Sequence, residues 1–258
     1  MEDDGSRYER WGWTYERFNP LRKEEIAWYR RLAASHGSPI LELACGTGRL
    51  GAALATAGYI VDAVDRSPAM LACALLRASV LADDARKRLR LIRADIGNFK
   101  INRTYKLIII ADNSLAELPD TVRAGCLRCA QKYLEQNGRL ALTVRVYAGD
   151  ASSCGRVSTH WSVPVTHPIT GVSVRRKVEL QMSDDGVRLQ GTMTYEITGP
   201  DRTVEYEICP VEYARYTRNG YISFLEATGW RVESEDPSDL RHEPATGSVM
   251  AHFVCSPL

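Results

Sequence analysis

Between Ile40 and Asp65 the chain sets out side chains whose types and spacing suit the binding of a nucleotide-like cofactor. Ile40-Leu41-Glu42-Leu43 runs into Ala44-Cys45-Gly46-Thr47-Gly48-Arg49, and a second apolar run ends in Asp65-Arg66-Ser67-Pro68-Ala69-Met70. An apolar strand entering a glycine turn lets the backbone at Gly46 and Gly48 take unusual dihedrals and approach a ligand closely, because neither residue carries a Cβ. The helix that follows aims its N-terminus at the same ligand. About twenty residues on, a second strand delivers Asp65 to its C-terminal end, where a carboxylate accepts hydrogen bonds from both hydroxyls of a ribose. Asp65 also reads as an ordinary start signal for the helix that opens at Pro68.

Gly46, Gly48 and Gly51 satisfy G-x-G-x-x-G, so the glycines alone leave a nicotinamide cofactor open. Glu42 shifts the balance: a carboxylate four positions before the first glycine suits a cofactor bearing ammonium and sulfonium cations, and repels a pyrophosphate. The stretch E-L-A-C-G-T-G-R, with D-R-S-P-A-M-L after it, resembles motifs I and II of class I S-adenosylmethionine (SAM) dependent methyltransferases. Later parts follow in the same order. Leu89–Arg93 ends in Ala94-Asp95-Ile96, where the family places an acid near the adenine amino group. Leu107–Ile110 ends in Ala111-Asp112-Asn113-Ser114-Leu115, the motif IV position beside the methyl group. Asn-Pro-Pro-Tyr and Asp-Pro-Pro-Tyr are absent, which disfavours planar amide or nucleobase nitrogens as acceptors.

The resemblance implies a cofactor site of Tyr15, Glu42, Ala44, Gly46, Gly48, Asp65, Arg66, Met70, Asp95, Ile96, Ala111 and Asn113, with SAM as cofactor and S-adenosyl-L-homocysteine (SAH) as product. It extends to small-molecule enzymes such as the glycine, sarcosine and aminosugar N-methyltransferases, in which an N-terminal Tyr-Asp element closes over the cofactor. Tyr15-Glu16 is the nearest counterpart and Tyr8-Glu9 the second, with Trp11 and Trp13 between them as anchors or as pocket lining.

The elements that must position these residues follow from the hydrophobic pattern. Helices are expected over 21–35, 48–57, 68–81, 120–135 and 219–228, and strands over 39–43, 59–64, 89–93, 107–111, 138–146, 230–235 and 248–255. Alternation of this kind specifies a Rossmann-like, doubly wound α/β sheet, and the last two strands supply an antiparallel C-terminal hairpin. Gly58 and Gly138 stand where helices need a left-handed cap. From about 152 to 212 the pattern changes to alternating strands, Ser158–Val165, Val172–Met182, Val187–Ile197 and Thr203–Pro210, separated by turn residues. The expected organisation is an N-terminal helical arm closing over the cofactor (1–37), a cofactor domain (38–151 and 211–258) and an inserted antiparallel β lid (152–210) that supplies the acceptor site. Trp11, Tyr147, Trp161, Arg175, Tyr195 and Tyr213 are its candidate lining.

SAM is intrinsically electrophilic, so the protein has chiefly to align the acceptor, exclude water and remove a proton. Glu117 and His160 are the candidate bases, with His167 a third; each histidine also reads as a surface residue, and Glu117 as the solvated start of the next helix. The 258 residues, 45% of them hydrophobic, suffice for a sizeable core, and 33 basic against 32 acidic residues leave a formal charge of +1. No field is available to attract nucleic acid nonspecifically. No run approaches about eighteen apolar residues and Met1–Gly5 is polar and acidic, so neither a membrane span nor a leader is expected and a cytoplasmic location is. Seven scattered cysteines oppose a disulfide framework, and Cys126-x-x-Cys129 lacks partners for a metal site. The reading is therefore methyl transfer to an amine or hydroxyl of a small-molecule acceptor. A noncatalytic SAM or nucleoside sensor and a nicotinamide oxidoreductase stand as alternatives, and oligomeric state is open, a homodimer included.

Overall fold

The computed structural model describes residues 6–147, 156–236 and 248–258; Met1–Gly5, the boundary at 151/152 and Cys154 lie outside the described residues. In chain order the elements are α1 (Ser6–Trp11), α2 (Tyr15–Phe18), α3 (Lys23–His36), β1 (Ile40–Leu43), α4 (Arg49–Thr56), β2 (Val61–Asp65), α5 (Pro68–Ser79), α6 (Asp83–Arg88), β3 (Leu89–Arg93), β4 (Tyr105–Ile110), α7 (Asp120–Tyr133) and β5 (Leu134–Tyr147). They continue with β6 (Val157–Ser158), β7 (Val165–Thr166), β8 (Ser173–Met182), β9 (Arg188–Thr198), β10 (Val204–Ala214), α8 (Arg218–Ala227), β11 (Trp230–Asp236) and β12 (Ser248–Pro257).

One sheet runs β11-β12-β5-β4-β1-β2-β3, with β5, β4, β1, β2 and β3 parallel and β12 antiparallel to both of its neighbours, β5 and β11. Strands buried on both faces read as continuous apolar runs, and Leu107–Ile110 are each fully buried. Trp28, Tyr29, Leu50 and Leu54 of α3 and α4 cover one face. Leu127 of α7 and Tyr221 and Leu225 of α8 cover the other, against Trp230 and Phe253. Each such side chain contributes about 1.5–3 kcal/mol by leaving water. Strand order reverses between β1 and β4, so a crevice opens at their C-terminal ends, where open α/β sheets bind ligands.

A second, antiparallel sheet runs β10-β9-β8-β6, with β7 also on β8. Its inner face carries Val174, Met193, Tyr195, Cys209 and Val211, which close on Trp11 of α1. Trp11 stacks on Tyr195 at 5.4 Å between ring centroids, and its indole N–H donates to Glu207 at 3.1 Å. The N-terminal arm therefore lies between the two sheets.

The observed elements depart from the sequence expectations in three respects. The strand expected over 158–165 is only the pairs β6 and β7, because Pro164 cannot donate to a ladder and Val163 faces solvent. Gly138 caps no helix: α7 ends at Tyr133, and Gly138 lies in β5 where the pairing with β4 slips between Leu134 and Arg139. A Cβ there would lie 2.8 Å from Leu134 Cγ. Within the expected helical arm α1 and α2 were not placed individually, and α6 was not foreseen, each being too short and too polar for a helical period to register. Gly58 follows α4 in the left-handed conformation, φ 100°. Among the described residues the six cysteines are free thiols, and no helix is long and apolar enough to cross a membrane.

Candidate active site

The turn after β1 is held by backbone and carboxylate together. Ala44, Gly46 and Gly48 all have positive φ (56°, 54° and 71°). For Ala44 that conformation costs about 1 kcal/mol or more, and nothing in its residue type announces it. Asp65 secures the turn: its Oδ2 accepts from the Gly46 N–H at 2.7 Å and its Oδ1 from the Ser67 N–H at 2.9 Å. The cap of α5 is Ser67, whose Oγ accepts from the Met70 N–H at 3.1 Å, with Pro68 in the first turn. Burial raises the Asp65 pKa above the usual aspartate value.

In front of this turn lies a cavity of about 380 Å³, lined by Tyr15, Ala44, Gly46, Asp65, Arg66, Met70, Asp95 and Ile96 among others. Eight of the twelve cofactor candidates thus meet at one surface. The other four do not line it. Gly48 is the N-cap of α4, and a Cβ there would come within 2.9 Å of Ala74 Cβ, so its glycine serves helix packing. Ala111 is buried at the end of the motif IV strand, and Asn113 faces a different cavity.

Glu42 is the most consequential of the four. It is buried beneath the turn, where its carboxyl takes the backbone N–H of Gly51, and a Cβ on Gly51 would lie 2.7 Å from Glu42 Oε2. The third glycine of the G-x-G-x-x-G pattern is thereby explained by Glu42, with no phosphate required. Burial pushes the Glu42 pKa up to about 8. Between the usual glutamate value and pH 8 the unfolded chain ionises while the folded one holds its proton, so folding loses stability as pH rises through that window. Glu42→Gln removes the titration, and its melting temperature is expected to match the parent near pH 4.5 and exceed it at pH 8. A difference independent of pH would refute this account.

A second cavity, of about 520 Å³, is bounded by the arm, the C-terminal ends of β4 and β5, and the inner face of the second sheet. Tyr8, Tyr15 and Glu117 line both cavities and form the wall between them. Glu117, in the 3-10 turn Ser114–Glu117, is anchored there: its Oε2 accepts from Arg7 Nη2 at 2.8 Å and from the Tyr8 hydroxyl. The Tyr15 hydroxyl donates to Asp112 Oδ2 at 3.2 Å, and Arg49 pairs with the same oxygen at 3.4 Å. Burial raises the pKa of Tyr8 and Tyr15, so both remain proton donors. Burial opposes the charge on Arg7, but Glu117 and Tyr8 outweigh it and the pKa is raised.

Asp112 and Asn113 both have positive φ (53° and 61°), adjacent left-handed residues that persist only where the surroundings enforce them. Thr143 does so. Its Oγ accepts from the Asp112 N–H at 2.8 Å and donates to Glu25 at 3.2 Å, and its carbonyl accepts from the Asn113 N–H at 3.0 Å.

Of the acceptor candidates, Trp11, Tyr147, Tyr195 and Tyr213 line the second cavity. Arg175, Trp161 and His160 do not, which corrects the sequence expectation. Arg175 points to the outer face of β8, where it forms a bidentate pair with Glu196 (2.7 and 2.8 Å) and covers the Trp161 ring. His160 is exposed, and His167 sits in a turn with its ring edge against Trp13. Arg7, Asp112 and Arg145 line the cavity and were not foreseen as site residues, and Arg176 of β8 lines it with them. Arg176 was legible: it shares its strand face with Val174, Val178 and Leu180, the apolar residues that must point inward. Among the described residues no cluster of three or more His, Cys, Asp or Glu side chains is placed to hold a metal.

Residues 40–138 match the family model described as "Methyltransferase domain". No curated protein matches the chain in sequence. Among solved structures, a SAM-dependent methyltransferase from Clostridium acetobutylicum aligns with 97% of this chain and 98% of its own at 18% identity and a TM-score of 0.71. CalS10, an amino pentose methyltransferase from Micromonospora echinaspora, aligns over 93% and 94% at 16% identity and a TM-score of 0.63. The glycopeptide N-methyltransferase MtfA in complex with SAM aligns over 90% and 87% at 19% identity and a TM-score of 0.60. With the strand order and the turn geometry above, residues 40–138 match a methyltransferase-domain model and the chain has the fold of the SAM-dependent methyltransferases to which it aligns.

Proposed function

We propose that this chain transfers a methyl group from SAM to an amine or hydroxyl of a small molecule, with the cofactor in the 380 Å³ cavity and the acceptor in the 520 Å³ cavity. The observation that carries the reading is the pair of cavities meeting at one wall of three polar side chains. The first cavity suits the cofactor. A Cβ on Gly46 would meet nothing within 4 Å, so the turn leaves open space there, and Asp65, which accepts from the backbone of Gly46, Arg66 and Ser67, would accept ribose hydroxyls through its remaining lone pairs. When bound, SAM supplies an electrophilic methyl group. Tyr15 would cover the cofactor, Asp95 and Ile96 would flank its base, and Arg66 and Met70 would close the rim. Tyr8, Tyr15 and the arm would exclude water, while Glu117 would take the acceptor's proton or position an ammonium.

The arm, the cofactor domain and the second sheet would act as cover, binding core and acceptor lid, with boundaries near 37, 151 and 211. MtfA is a glycopeptide N-methyltransferase and CalS10 an amino pentose methyltransferase, which supports an amine ahead of a hydroxyl. Free thiols support a reducing, cytoplasmic setting, and the near-zero net charge supports a small acceptor over nucleic acid.

The test is calorimetry with SAM, SAH and NAD(P)H, followed by a screen for methyl transfer to amines and phenols. SAM and SAH should bind and NAD(P)H should not. Asp65→Ala should weaken SAM binding by about 1.5–3 kcal/mol, the range for hydrogen bonds to a charged group. Unchanged SAM affinity in a folded Asp65→Ala protein overturns the cofactor assignment; binding without transfer to any acceptor would leave a noncatalytic SAM-binding protein.

A further inference from the structure

The second cavity is rich in arginine. Four guanidinium groups line it, from Arg7, Arg22, Arg145 and Arg176, against the carboxylates of Asp112 and Glu117. The two acids are engaged, Glu117 by Arg7 at the wall shared with the first cavity and Asp112 by Arg49 beside it. Away from that wall, the inner face of the second sheet presents Arg176.

Arg176 is half-buried, and the atoms that hold its guanidinium are uncharged. Its Nη2 donates to the Phe18 carbonyl at 3.2 Å and to Asn19 Oδ1 at 2.8 Å, its Nη1 lies 3.8 Å from Met193 Sδ, and its Cζ sits 4.8 Å from the Phe18 ring centroid. The adjacent Arg175, on the outer face, has a bidentate carboxylate partner in Glu196. Partly desolvated charges are ordinarily paired; neutral acceptors occupy both Nη2 hydrogens and hold the guanidinium in place without neutralising it, so it keeps its charge for an anion met through its remaining hydrogens.

We propose that the methyl acceptor carries an anionic group, a carboxylate or a phosphate, and that Arg176 is the residue that binds it. The proposal rests on reading the second cavity as the acceptor site. Arg176 would anchor the acceptor's anionic end to the second sheet, while its nucleophile reaches the wall of Tyr8, Tyr15 and Glu117.

The probes are inorganic phosphate and acetate, titrated calorimetrically into the protein saturated with SAH. Failure of SAH to bind would count against the underlying functional reading, so the two failures are distinguishable. At least one anion should bind saturably, and the stronger of the two identifies the source. Arg176→Gln should weaken that binding tenfold or more with SAH affinity unchanged, Arg176→Lys should fall between it and the parent, and Arg175→Gln should match the parent. In the transfer assay, paired acceptors with and without the anionic group (glycine against methylamine, phosphoethanolamine against ethanolamine) should differ in KM, and Arg176→Gln should erase the difference. Absence of saturable binding by either anion even at tens of millimolar overturns the proposal. So does equal weakening in Arg175→Gln and Arg176→Gln, which would mark a general charge effect.

Discussion

Gly46→Val is expected to reduce SAM affinity by about a hundredfold or more, close to 3 kcal/mol, while the protein still folds. A Cβ at Gly46 points into the first cavity and meets no atom within 4 Å, so it displaces ligand and not protein. The branched side chain must also adopt φ near 54°, a strain of about 1–2 kcal/mol that lowers stability without eliminating the native state. Gly48→Ala provides the contrast. Its Cβ would meet Ala74 at 2.9 Å outside the cavity, so it should lower the melting temperature as its main effect. Calorimetry with SAM alongside thermal melts separates the two glycines. Parental SAM affinity in Gly46→Val would remove the cofactor from this cavity.

Glu117→Gln is expected to slow methyl transfer about a hundredfold or more, within the range for a lost general base, with SAM affinity preserved. The structure strengthens the grounds for testing it, because Glu117 belongs to the wall common to both cavities and is fixed there by Arg7 and Tyr8. Glutamine keeps the shape but cannot take a proton, and it weakens the ion pair with Arg7, so thermal melts must accompany the rates. If the variant transfers methyl groups at the parental rate across about pH 6 to 9, Glu117 is not the base, and alignment of the reactants becomes the account of catalysis.

Much of the molecule was readable without coordinates where the signal is local. The parallel strands and the helices between them appear close to their expected bounds, because a strand buried on both faces must be continuously apolar and the helices carry their own start and stop residues. The glycine turn and Asp65 were readable for the same reason: the chemistry of a tight turn and of a carboxylate at a strand end is carried by a few neighbouring residues.

Other features depended on partners far apart in the chain. Glu42 looked like a cofactor ligand because its type and position suit one, yet its side chain turns beneath the sheet end toward Gly51, an orientation set by the packing of α4 on β1 and β2. Ala44, Asp112 and Asn113 take left-handed conformations that their residue types do not advertise, and the last two are held by Thr143 from the neighbouring strand.

Residue types along β8 announce two adjacent arginines and a strand period, and the inward apolar residues could have assigned them to opposite faces. That Arg176 would meet the arm at Phe18 and Asn19, and that Glu117 would meet Arg7 and Tyr8, depended on closing chain separations of more than a hundred residues. Local pattern specifies the strands, the glycine turn and the carboxylate that holds it, since backbone geometry and burial there depend on near neighbours. The second cavity exists only where arm, parallel sheet and antiparallel sheet converge, and its shape and charge arise from contacts that no short stretch of sequence contains.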